Sequence, residues 1–301
     1  MMTVKKEKKS LSAFAKQERI SGWVLLIPML IGFVCFTAYP LFSSIYISLC
    51  EYNLTSIKFI GFENFKKVFQ DEWFLESLKN VLIYILHVPV GTALALIISS
   101  VLISISKGSM TFRMIYYLPT LCGAVAVTFI WQWMYAPAYG ILWKTLQNLG
   151  IDFPKGFQFL SDDNFMSSMM VMSIWSGMGI SILMFYATLH NISDSLYEAA
   201  SIDGAGPFSK FIKITLPAIS PVVFYIIITG VIGSFQVFTQ FEVMKSQMAI
   251  YSMTPVWWIY LQTMSLDYGY ASALGVVLGL IIIIITVIQF IVSKYWVNYD
   301  Y

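Results

Sequence analysis

Six long stretches of the chain contain no acidic or basic residue, and polar segments separate them. A helix of about 20 apolar residues is long enough to cross the hydrocarbon core of a bilayer. Because lipid offers the backbone no hydrogen-bonding partners, even the β-branched run "GLIIIIITVIQFIV" is expected to be helical. The pattern therefore predicts six transmembrane helices, at residues 22–49, 80–105, 114–136, 166–191, 218–241 and 269–293.

The composition favours an all-α, polytopic membrane protein. Hydrophobic residues make up 58% of the chain and charged residues 11%, whereas soluble domains carry about 25% charged residues. The first apolar run, about 28 residues long, exceeds the 7–15 residues of a signal-peptide core, so we predict a retained first span. The predicted organisation is a tail at residues 1–20, a transmembrane domain at 21–297 and a short C-terminal segment at 298–301.

The distribution of lysine and arginine predicts the orientation. With the N-terminus inside the cell, eleven of the 18 basic residues fall in cytoplasmic segments, and six of these lie in the N-terminal tail. Cytoplasmic loops carry the basic excess in membrane proteins. Both termini and the polar segment 193–217 are therefore predicted to be cytoplasmic. The aromatic residues of the outer loops, including Trp257 and Trp258, are expected either to form an interfacial belt or to contact a ligand.

The segment 193–217 contains a compact polar element, "EAASIDGAGPFSKFIKITLP", between two spans. Ser195 and Glu198 have the spacing of a capping box at the start of a helix. Gly204 or Gly206 can end that helix, Pro207 suits the start of a second one, and Leu216-Pro217 is expected to break the second helix before the next span. Two helices this short are not stable alone, so the element is expected to dock into a groove of a soluble partner.

The order Glu198-Ala199-Ala200, Gly204, Ile214 and Leu216-Pro217 resembles the EAA loop of permease subunits in bacterial binding-protein-dependent ABC importers. The string "YEAASIDGAGPFSKFIKITLPAISP" is similar to the carbohydrate-uptake branch, which includes maltose, lactose and glycerol-phosphate permeases. Further resemblance lies in "FIGFENFKKVF", "FRMIYYLPTLCGAVAVTFIWQWMYAPAYGIL", "SFQVFTQFEVM" and "YGYASALGVVLGLIIIIITVIQF", and covers roughly residues 20–297. The chain departs from the family at residues 245–248, where Thr-Gly-Gly-Gly-Pro is common, and at Trp143, where Asn is common.

The resemblance implies the permease fold of a type I ABC importer, in a multi-pass protein of the bacterial plasma membrane. It implies four kinds of partner: a second permease, usually non-identical; two ATPase subunits; an extracellular or periplasmic solute-binding protein; and a sugar. The EAA loop would be the coupling helix that inserts into the ATPase, and ATP and Mg²⁺ would bind the ATPase subunits, with no cofactor on this chain. The residues so assigned to coupling are Glu198, Ala199, Ala200, Asp203, Gly204 and Pro217. Glu198 would meet basic or amide groups of the ATPase or only cap its helix, and Gly204 would serve the turn with or without a partner.

The sequence itself is consistent with a transport subunit that is not an enzyme. It contains no G-x-x-x-x-G-K-[ST] pattern for nucleotide binding. The predicted spans contain no carboxylate of the kind that proton- or sodium-driven carriers use, although backbone sodium sites would not need one. A membrane-embedded enzyme would need a nucleophile, metal ligands or paired carboxylates in a cavity, and we predict no metal site. A scaffold protein is the remaining alternative, and the spaced loop motif argues against it.

A solute pathway is expected among uncharged polar and aromatic side chains of the spans. Such groups suit a sugar, whereas an anion would call for Arg or Lys; a polyol, a glycerol phosphoester or an amino acid are the alternative solutes. The candidates are Trp175, Gly177, Gly179, Ser234, Gln236, Phe238 and Thr239. Each of these residues could instead serve helix packing or interhelical hydrogen bonding.

Two further features of the spans have structural interpretations. His87 precedes Pro89, which frees a backbone carbonyl, and the histidine is expected to bond to that carbonyl or to act as a proton switch. Ala271, Gly275 and Gly279 form a small-residue stripe that would permit close helix packing, either within the subunit or against the partner.

Overall fold

A computed structural model of the chain describes residues 13–105, 108–137, 139–151, 153–154, 156–244 and 252–299. The described residues form helices and one short hairpin. The elements in chain order are α1 (Ala13–Phe33), a π-turn (Val34–Ala38), α2 (Tyr39–Ser48), β1 (Cys50–Asn53), β2 (Ser56–Phe59), α3 (Glu63–Val68), α4 (Glu72–Tyr84), α5 (His87–Ser104), α6 (Ser109–Leu121), α7 (Ala124–Tyr135), α8 (Ile141–Asn148), α9 (Asp162–His190), α10 (Asp194–Ile202), α11 (Pro207–Lys210), a second π-turn (Phe211–Thr215), α12 (Leu216–Phe235), α13 (Thr239–Met244), α14 (Pro255–Met264) and α15 (Tyr268–Ser293).

The predicted polytopic all-α fold is confirmed. Five helical stretches of the described residues are long and apolar enough to cross a membrane, and the pair α6 and α7 together forms a sixth. The five stretches are Gln17–Ser48, Glu72–Ser104, Asp162–His190, Pro207–Phe235 and Tyr268–Ser293. Helix α1 begins at Ala13, within the predicted tail, and the first twelve residues lie outside the described part.

The third predicted span is not a single straight helix. It consists of α6 and α7, which meet at an angle of 102°. Cys122 and Gly123 at the break have extended backbones, with ψ of 139° and 142°. Pro119 lies inside the last turn of α6, and a proline removes a helical hydrogen bond and favours a kink. The prediction of one helix over 114–136 is wrong for this reason.

The fifth span ends six residues earlier than predicted. Helix α12 stops at Phe235, and a non-helical stretch at 236–238 leads into α13. The Oγ1 hydroxyl of Thr254 donates to the backbone carbonyl of Val237 at 3.0 Å, which satisfies one of the groups that the break frees. The segment after the break is therefore held by the chain that precedes α14.

A β-hairpin lies between α2 and α3. Strands β1 and β2 pair antiparallel around a two-residue turn. The side chain of Asn53 accepts hydrogen bonds from the backbone N–H groups of Thr55 and Ser56, at 3.2 and 3.0 Å. An Asn that bonds to the backbone two and three residues ahead stabilises such a turn, and this local signal was missed.

The loops between spans meet at two ends of the bundle. At one end, here called the β-hairpin end, the first turn of α15 touches β1. A Cβ on Gly269 would collide there with the carbonyl oxygen of Cys50. At the other end, the backbone N–H of Asn298 donates to Ser220 Oγ at 2.9 Å, just inside the start of α12. Helix α15 therefore connects the β-hairpin end to the end that carries α10 and α11.

One hydrophobic cluster of the core lies where α5, α9 and α12 pack together. Its centre is made of Ala95, Leu102, Ile182, Phe185 and Ile219, all at most 3% exposed. The Oγ hydroxyl of Ser99 joins the two helices α5 and α9 by donating to the carbonyl of Ile182 at 3.0 Å. This packing positions the side chains that face the space between the three helices.

The small-residue stripe of α15 packs differently from the prediction. Ala271 is buried, but a Cβ on Gly275 or Gly279 would meet no atom within 4 Å. The close backbone approach occurs instead at Gly269, against β1. Gly275 and Gly279 therefore do not permit close packing within this chain, and packing against the partner subunit stays a prediction.

Candidate functional site

The polar element at 193–217 is an exposed helical hairpin formed by α10, a glycine turn and α11. Its first helix begins earlier than the capping-box spacing predicts. Ser193 is the N-cap residue and its side chain makes no capping bond, while its Oγ lies 2.7 Å from Ser195 Oγ. Glu198 therefore lies in the second turn of α10, too far along the helix to cap it. The predicted capping role of Ser195 and Glu198 is wrong.

The end of α10 agrees with the prediction. Gly204 has a φ of +76°. The N–H of Ala205 donates to the carbonyl of Ala200 at 2.9 Å, and the N–H of Gly204 donates to that of Ser201 at 3.1 Å. This pair of bonds around a left-handed glycine is the Schellman motif. Pro207 then starts α11, where its fixed φ suits the first turn.

The second helix of the hairpin continues without a break into the fifth span. The residues Leu216 and Pro217 were predicted to break it, and this is wrong. The N–H of Leu216 bonds to the carbonyl of Phe211, five residues back, in a π-turn at Phe211–Thr215. Because the register shifts by one residue just before Pro217, the helix accommodates a residue that has no N–H to donate.

Two side-chain contacts fix α10 against this continuous helix. The Tyr197 hydroxyl lies 2.9 Å from Thr215 Oγ1, and the Lys210 ammonium donates to Ser201 Oγ at 2.5 Å. The hairpin is thus attached directly to α12. A force applied to α10 would act on α12 through the π-turn and these two contacts.

The outer face of the hairpin combines carboxylates with apolar side chains. Glu198, Ala199 and Asp203 are exposed, and Ile202 and Phe208 are 88% and 77% exposed. Within the described residues, the Glu198 carboxylate has no hydrogen bond or ion pair. Large exposed apolar groups around a carboxylate are typical of a surface that another protein covers.

A cavity of about 260 Å³ lies between α5, α9 and α12. Its polar lining is uncharged and includes His87, Thr92, Ser173, Gly177, Ser181 and Thr229. Gly177 was predicted from the sequence as a pathway residue, and the structure places it in this lining. The space next to Gly177 is open, since a Cβ there would meet no atom within 4 Å.

Two of the other candidates face away from open space. A Cβ on Gly179 would collide with the carbonyl oxygen of Tyr116, so this glycine permits the close contact of α9 with α6. Ser234 is 2% exposed, and its hydroxyl donates to the carbonyl of Gly230 in its own helix at 2.7 Å. Both residues therefore serve helix structure in this conformation.

The remaining candidates lie at or near the break that follows α12. Gln236 is exposed, and Phe238 and Thr239 are half-buried. The ring of Phe238 packs against that of Tyr260, with centroids 5.0 Å apart. Trp175 lies elsewhere, on α9, where its ring meets the buried Trp131 edge-on at 5.5 Å.

His87 bonds to a backbone carbonyl of the preceding turn, as predicted, but this is the carbonyl of Tyr84 and not the one that Pro89 itself frees. Pro89 has no N–H, and the carbonyl of Ile85 accepts from Val88 instead, at 2.9 Å. The carbonyl of Tyr84 is then free for the histidine, and Nδ1 of His87 lies 2.6 Å from it. The ring also contacts that of Tyr84, with centroids 4.4 Å apart.

A carboxylate network at the β-hairpin end was not predicted. Asp71 Oδ1 caps α4 by accepting from the backbone N–H groups of Trp73 and Phe74, at 2.9 and 3.1 Å. Its Oδ2 accepts from the indole N–H of Trp258 at 2.7 Å and from the Tyr270 hydroxyl. The neighbouring indole of Trp257 donates to Glu242 on α13. The tryptophan pair therefore anchors α14, and its place in an interfacial belt or at a ligand stays a prediction.

Trp143, which departs from the family pattern, is part of an aromatic cluster. Its ring stacks on that of Phe153 with centroids 4.5 Å apart, and Phe153 stacks in turn on Phe157 at 4.8 Å. The substitution thus stabilises the loop between α8 and α9. The other departure, at 245–248, lies outside the described residues.

Comparison with known proteins gives a consistent result over the whole chain. A family model described as a binding-protein-dependent transport system inner membrane component matches residues 81–296. The probable ABC transporter permease protein YesP of Bacillus subtilis is 35% identical over 293 residues, which cover 95% of this chain and 94% of that protein. The diacetylchitobiose uptake permease NgcF of Streptomyces coelicolor is 32% identical over 284 residues, which cover 89% of this chain and 80% of that protein.

The fold also occurs in a solved structure. A crystal structure of a bacterial ABC transporter involved in the import of the acidic polysaccharide alginate contains a chain with a TM-score of 0.81 and 22% identity. The superposition covers 93% of this chain and 96% of that chain.

Proposed function

Since the chain belongs to the family of binding-protein-dependent transport system inner membrane components, we propose that it forms half of the translocation pathway of an ATP-driven carbohydrate importer. The family resemblance seen in the sequence is thereby confirmed, and the chain is a multi-pass subunit of the bacterial inner membrane. The importer would take up the carbohydrate, in the form of an oligosaccharide, after delivery by a solute-binding protein.

The exposed hairpin carries the proposal of ATP-driven transport. In the described structure the Glu198 carboxylate is exposed and makes no bond, and the same helical hairpin carries the exposed Ile202 and Phe208. A partner that covers this surface would satisfy the carboxylate and remove the apolar side chains from water. We assign that partner to an ATPase subunit in the cytoplasm, because the sequence has no phosphate-binding loop of its own.

Coupling is assigned to Glu198, Ala199, Ala200, Asp203 and Gly204 on the hairpin and to Pro217 at its junction with α12. The two ATPase subunits would bind ATP and Mg²⁺, and closure of their interface would pull the hairpin. A second permease subunit would supply the other half of the pathway.

The cavity supports a carbohydrate as the solute. Its lining consists of hydroxyl groups, an imidazole, exposed backbone at Gly177 and apolar side chains, without a charged residue. Sugars present hydroxyl groups at their edges and apolar faces between them, and such a lining matches both. A glycerol phosphoester would call for Arg or Lys, which the cavity does not offer. Gln236, Phe238 and Thr239, together with Trp175, are assigned to the parts of the pathway outside this cavity.

The test is uptake by cells that carry the wild-type gene or a deletion. The panel consists of labelled diacetylchitobiose, cello-oligosaccharides, alginate oligosaccharides and glycerol phosphate. We expect the deletion to abolish uptake of at least one saccharide and to leave glycerol phosphate uptake unchanged. Loss of glycerol phosphate uptake alone would contradict the carbohydrate assignment.

A second measurement addresses the machinery rather than the solute. The chain is purified from its native membrane with an affinity tag, and we expect an ATPase subunit and a second permease to accompany it. Purification of the chain with neither subunit would contradict ATP-driven transport, whatever the uptake panel shows.

A further inference from the structure

We infer that His87 binds the transported carbohydrate, by accepting a hydrogen bond from a sugar hydroxyl through its Nε2 atom. The inference rests on the proposed function and adds a specific residue and a direction of hydrogen bonding to it. It concerns α5, a helix to which the sequence assigned no pathway residue.

The protonation of the imidazole is fixed by its backbone contact. A carbonyl oxygen can only accept a hydrogen bond, so the contact of Nδ1 with the carbonyl of Tyr84 at 2.6 Å places the proton on Nδ1. In a neutral imidazole the other nitrogen is then an acceptor. The contact between the rings of His87 and Tyr84, and the 2.5 Å contact of the Tyr84 hydroxyl with Ser173 Oγ, hold this orientation.

The side chain of His87 lies at the cavity, and its Nε2 atom is free. His87 lines the cavity, and no described group forms a hydrogen bond with Nε2. The atom is not sealed in the core either, because the fully buried side-chain atoms without a partner, among the described residues, are Trp131 Nε1 and Gln289 Oε1. His87 therefore contributes to the cavity lining and keeps an accessible acceptor with a fixed lone pair, which we assign to the cavity side.

Other polar groups of the cavity have the same character. Thr92 uses its hydroxyl proton to bond the carbonyl of Val88 at 2.7 Å, and Thr229 uses its proton to bond that of Tyr225 at 2.7 Å. Each oxygen keeps a lone pair for a ligand. The cavity thus presents acceptors without a formal charge, and a ligand rich in O–H donors matches it.

Two substitutions separate binding from a purely structural role. The amide nitrogen of Asn occupies nearly the position of Nδ1, so His87→Asn can keep the bond to Tyr84 but removes the acceptor from the cavity. The amide of Gln reaches the position of Nε2, so His87→Gln keeps a polar group there. We expect His87→Asn to lower the maximal uptake rate by about threefold to tenfold, the effect of one hydrogen bond, and His87→Gln to stay within about twofold.

A structural role predicts the opposite order, with His87→Asn close to wild type and His87→Gln impaired, and that result would overturn the inference. Equal uptake by both variants and the wild type would overturn it as well. The assay uses the panel saccharide with the highest wild-type uptake, in cells with equal amounts of each variant in the membrane. ATP hydrolysis is measured alongside, because loss of solute contact should slow uptake more than it slows hydrolysis.

The chain provides a matched control, since its only other histidine is His190. That residue ends α9, outside the cavity lining, and its ring stacks on Tyr186 with centroids 6.1 Å apart. His190→Asn is expected to transport at the wild-type rate. In a chain that carries His190→Asn, His87 is the only histidine.

Diethyl pyrocarbonate gives a readout that needs no sugar. Its carbonyl carbon forms a bond with the unprotonated nitrogen of an imidazole while ethyl carbonate leaves. In membrane vesicles that hold the assembled importer with His190→Asn, we expect mass spectrometry to find the modification on His87. An unmodified His87 under conditions that modify His190 of the wild type would show that water does not reach Nε2, and the inference would be wrong.

Failure of the inference and failure of the proposed function give different results. If the carbohydrate assignment fails, the wild-type chain transports no saccharide of the panel. If only the role of His87 fails, wild-type uptake is intact and either the substitutions or the chemical modification contradict it.

Discussion

At the scale of single residues, position on a helix face decided which candidates adjoin open space. Gly177 and Gly179 are two residues apart on α9 and therefore lie on nearly opposite faces of a helix with 3.6 residues per turn. Gly177 faces the cavity, whereas Gly179 touches the backbone of α6. The sequence proposed both for the same reason, and only the packing of neighbouring helices separates them.

Glu198 gives a prediction at this scale. We expect Glu198→Lys to lower uptake by more than about tenfold, because reversing one partner of a desolvated charge contact costs about 2–5 kcal/mol. Binding of the ATPase subunit should weaken in parallel, while the chain should still insert into the membrane. Uptake by cells and co-purification of the ATPase measure the two effects.

The control for this charge reversal is Asp163→Lys, at the exposed first turn of α9 and at the opposite end of that helix from α10. It changes the net charge equally and should leave ATPase binding unchanged. If both variants bind the ATPase as the wild type does, the coupling role of Glu198 is excluded.

At the scale of elements, the hairpin and the fifth span form one mechanical unit. The π-turn at Phe211–Thr215 keeps α11 continuous with α12, and the Tyr197–Thr215 contact attaches α10 to the same helix. π-Turns are frequent at functional sites of helices. The proposed coupling thus has a physical route, from the docking face of α10 to the residues of α12 that line the cavity.

The turn of the hairpin gives a prediction for this element. Gly204→Ala should destabilise the turn by about 1–2 kcal/mol, because an L-residue in the left-handed region places its Cβ too close to the backbone. The amide protons of Gly204 and Ala205, which bond to Ser201 and Ala200, should exchange with solvent about 5–30 times faster. Hydrogen exchange followed by mass spectrometry checks this.

Gly206→Ala is a matched control for Gly204→Ala. Both glycines have open space around the Cβ position, but Gly206 has a φ of −70°. We therefore expect normal exchange in Gly206→Ala. Equal exchange in the two variants would mean that the backbone angle does not set the stability of the turn.

At the scale of the whole molecule, the two ends of the bundle are built differently. At the β-hairpin end, loops from distant parts of the chain meet at Asp71, which links α4, α14 and α15. At the other end, α10 and α11 project with exposed apolar side chains. The first span is also exposed along its most apolar stretch, of which no part is buried within the chain. One end is therefore braced internally, and the other end and the first span present surfaces to their surroundings.

The bracing predicts a stability effect. In Asp71→Asn the amide can accept through one oxygen only, so it cannot serve both the helix cap and the Trp258–Tyr270 pair. Loss of hydrogen bonds to a charged group costs about 1.5–3 kcal/mol each, and the thermal unfolding temperature of the purified chain in detergent should fall by several degrees.

Asp267→Asn is the control for Asp71→Asn, because Asp267 caps only the N–H of Tyr270, at 3.2 Å. Asn is as good an N-cap as Asp, so this variant should unfold at the wild-type temperature. Similar unfolding temperatures for the Asp71 and Asp267 variants would contradict the bracing role of Asp71.

The sequence alone determined the class of the protein. Hydropathy along a chain is a local property, and lipid leaves a long apolar segment no stable alternative to a helix. The spans were therefore predictable, and so were the glycine turn at Gly204 and the helix start at Pro207, which depend on the backbone preferences of single residues. The family was also visible in the sequence, because its loop motif lies within one continuous segment.

The tertiary structure alone decided which elements meet. The 102° bend between α6 and α7, the continuity of α11 with α12 and the face of α9 that borders the cavity all depend on contacts between segments far apart in the chain. Asp71 meets Trp258 and Tyr270 across nearly 200 residues, and no local pattern encodes such a meeting. Side chains acquire these roles only when packing brings distant segments together, because hydrogen bonds and steric contacts act over a few ångströms of space, whatever the separation along the sequence.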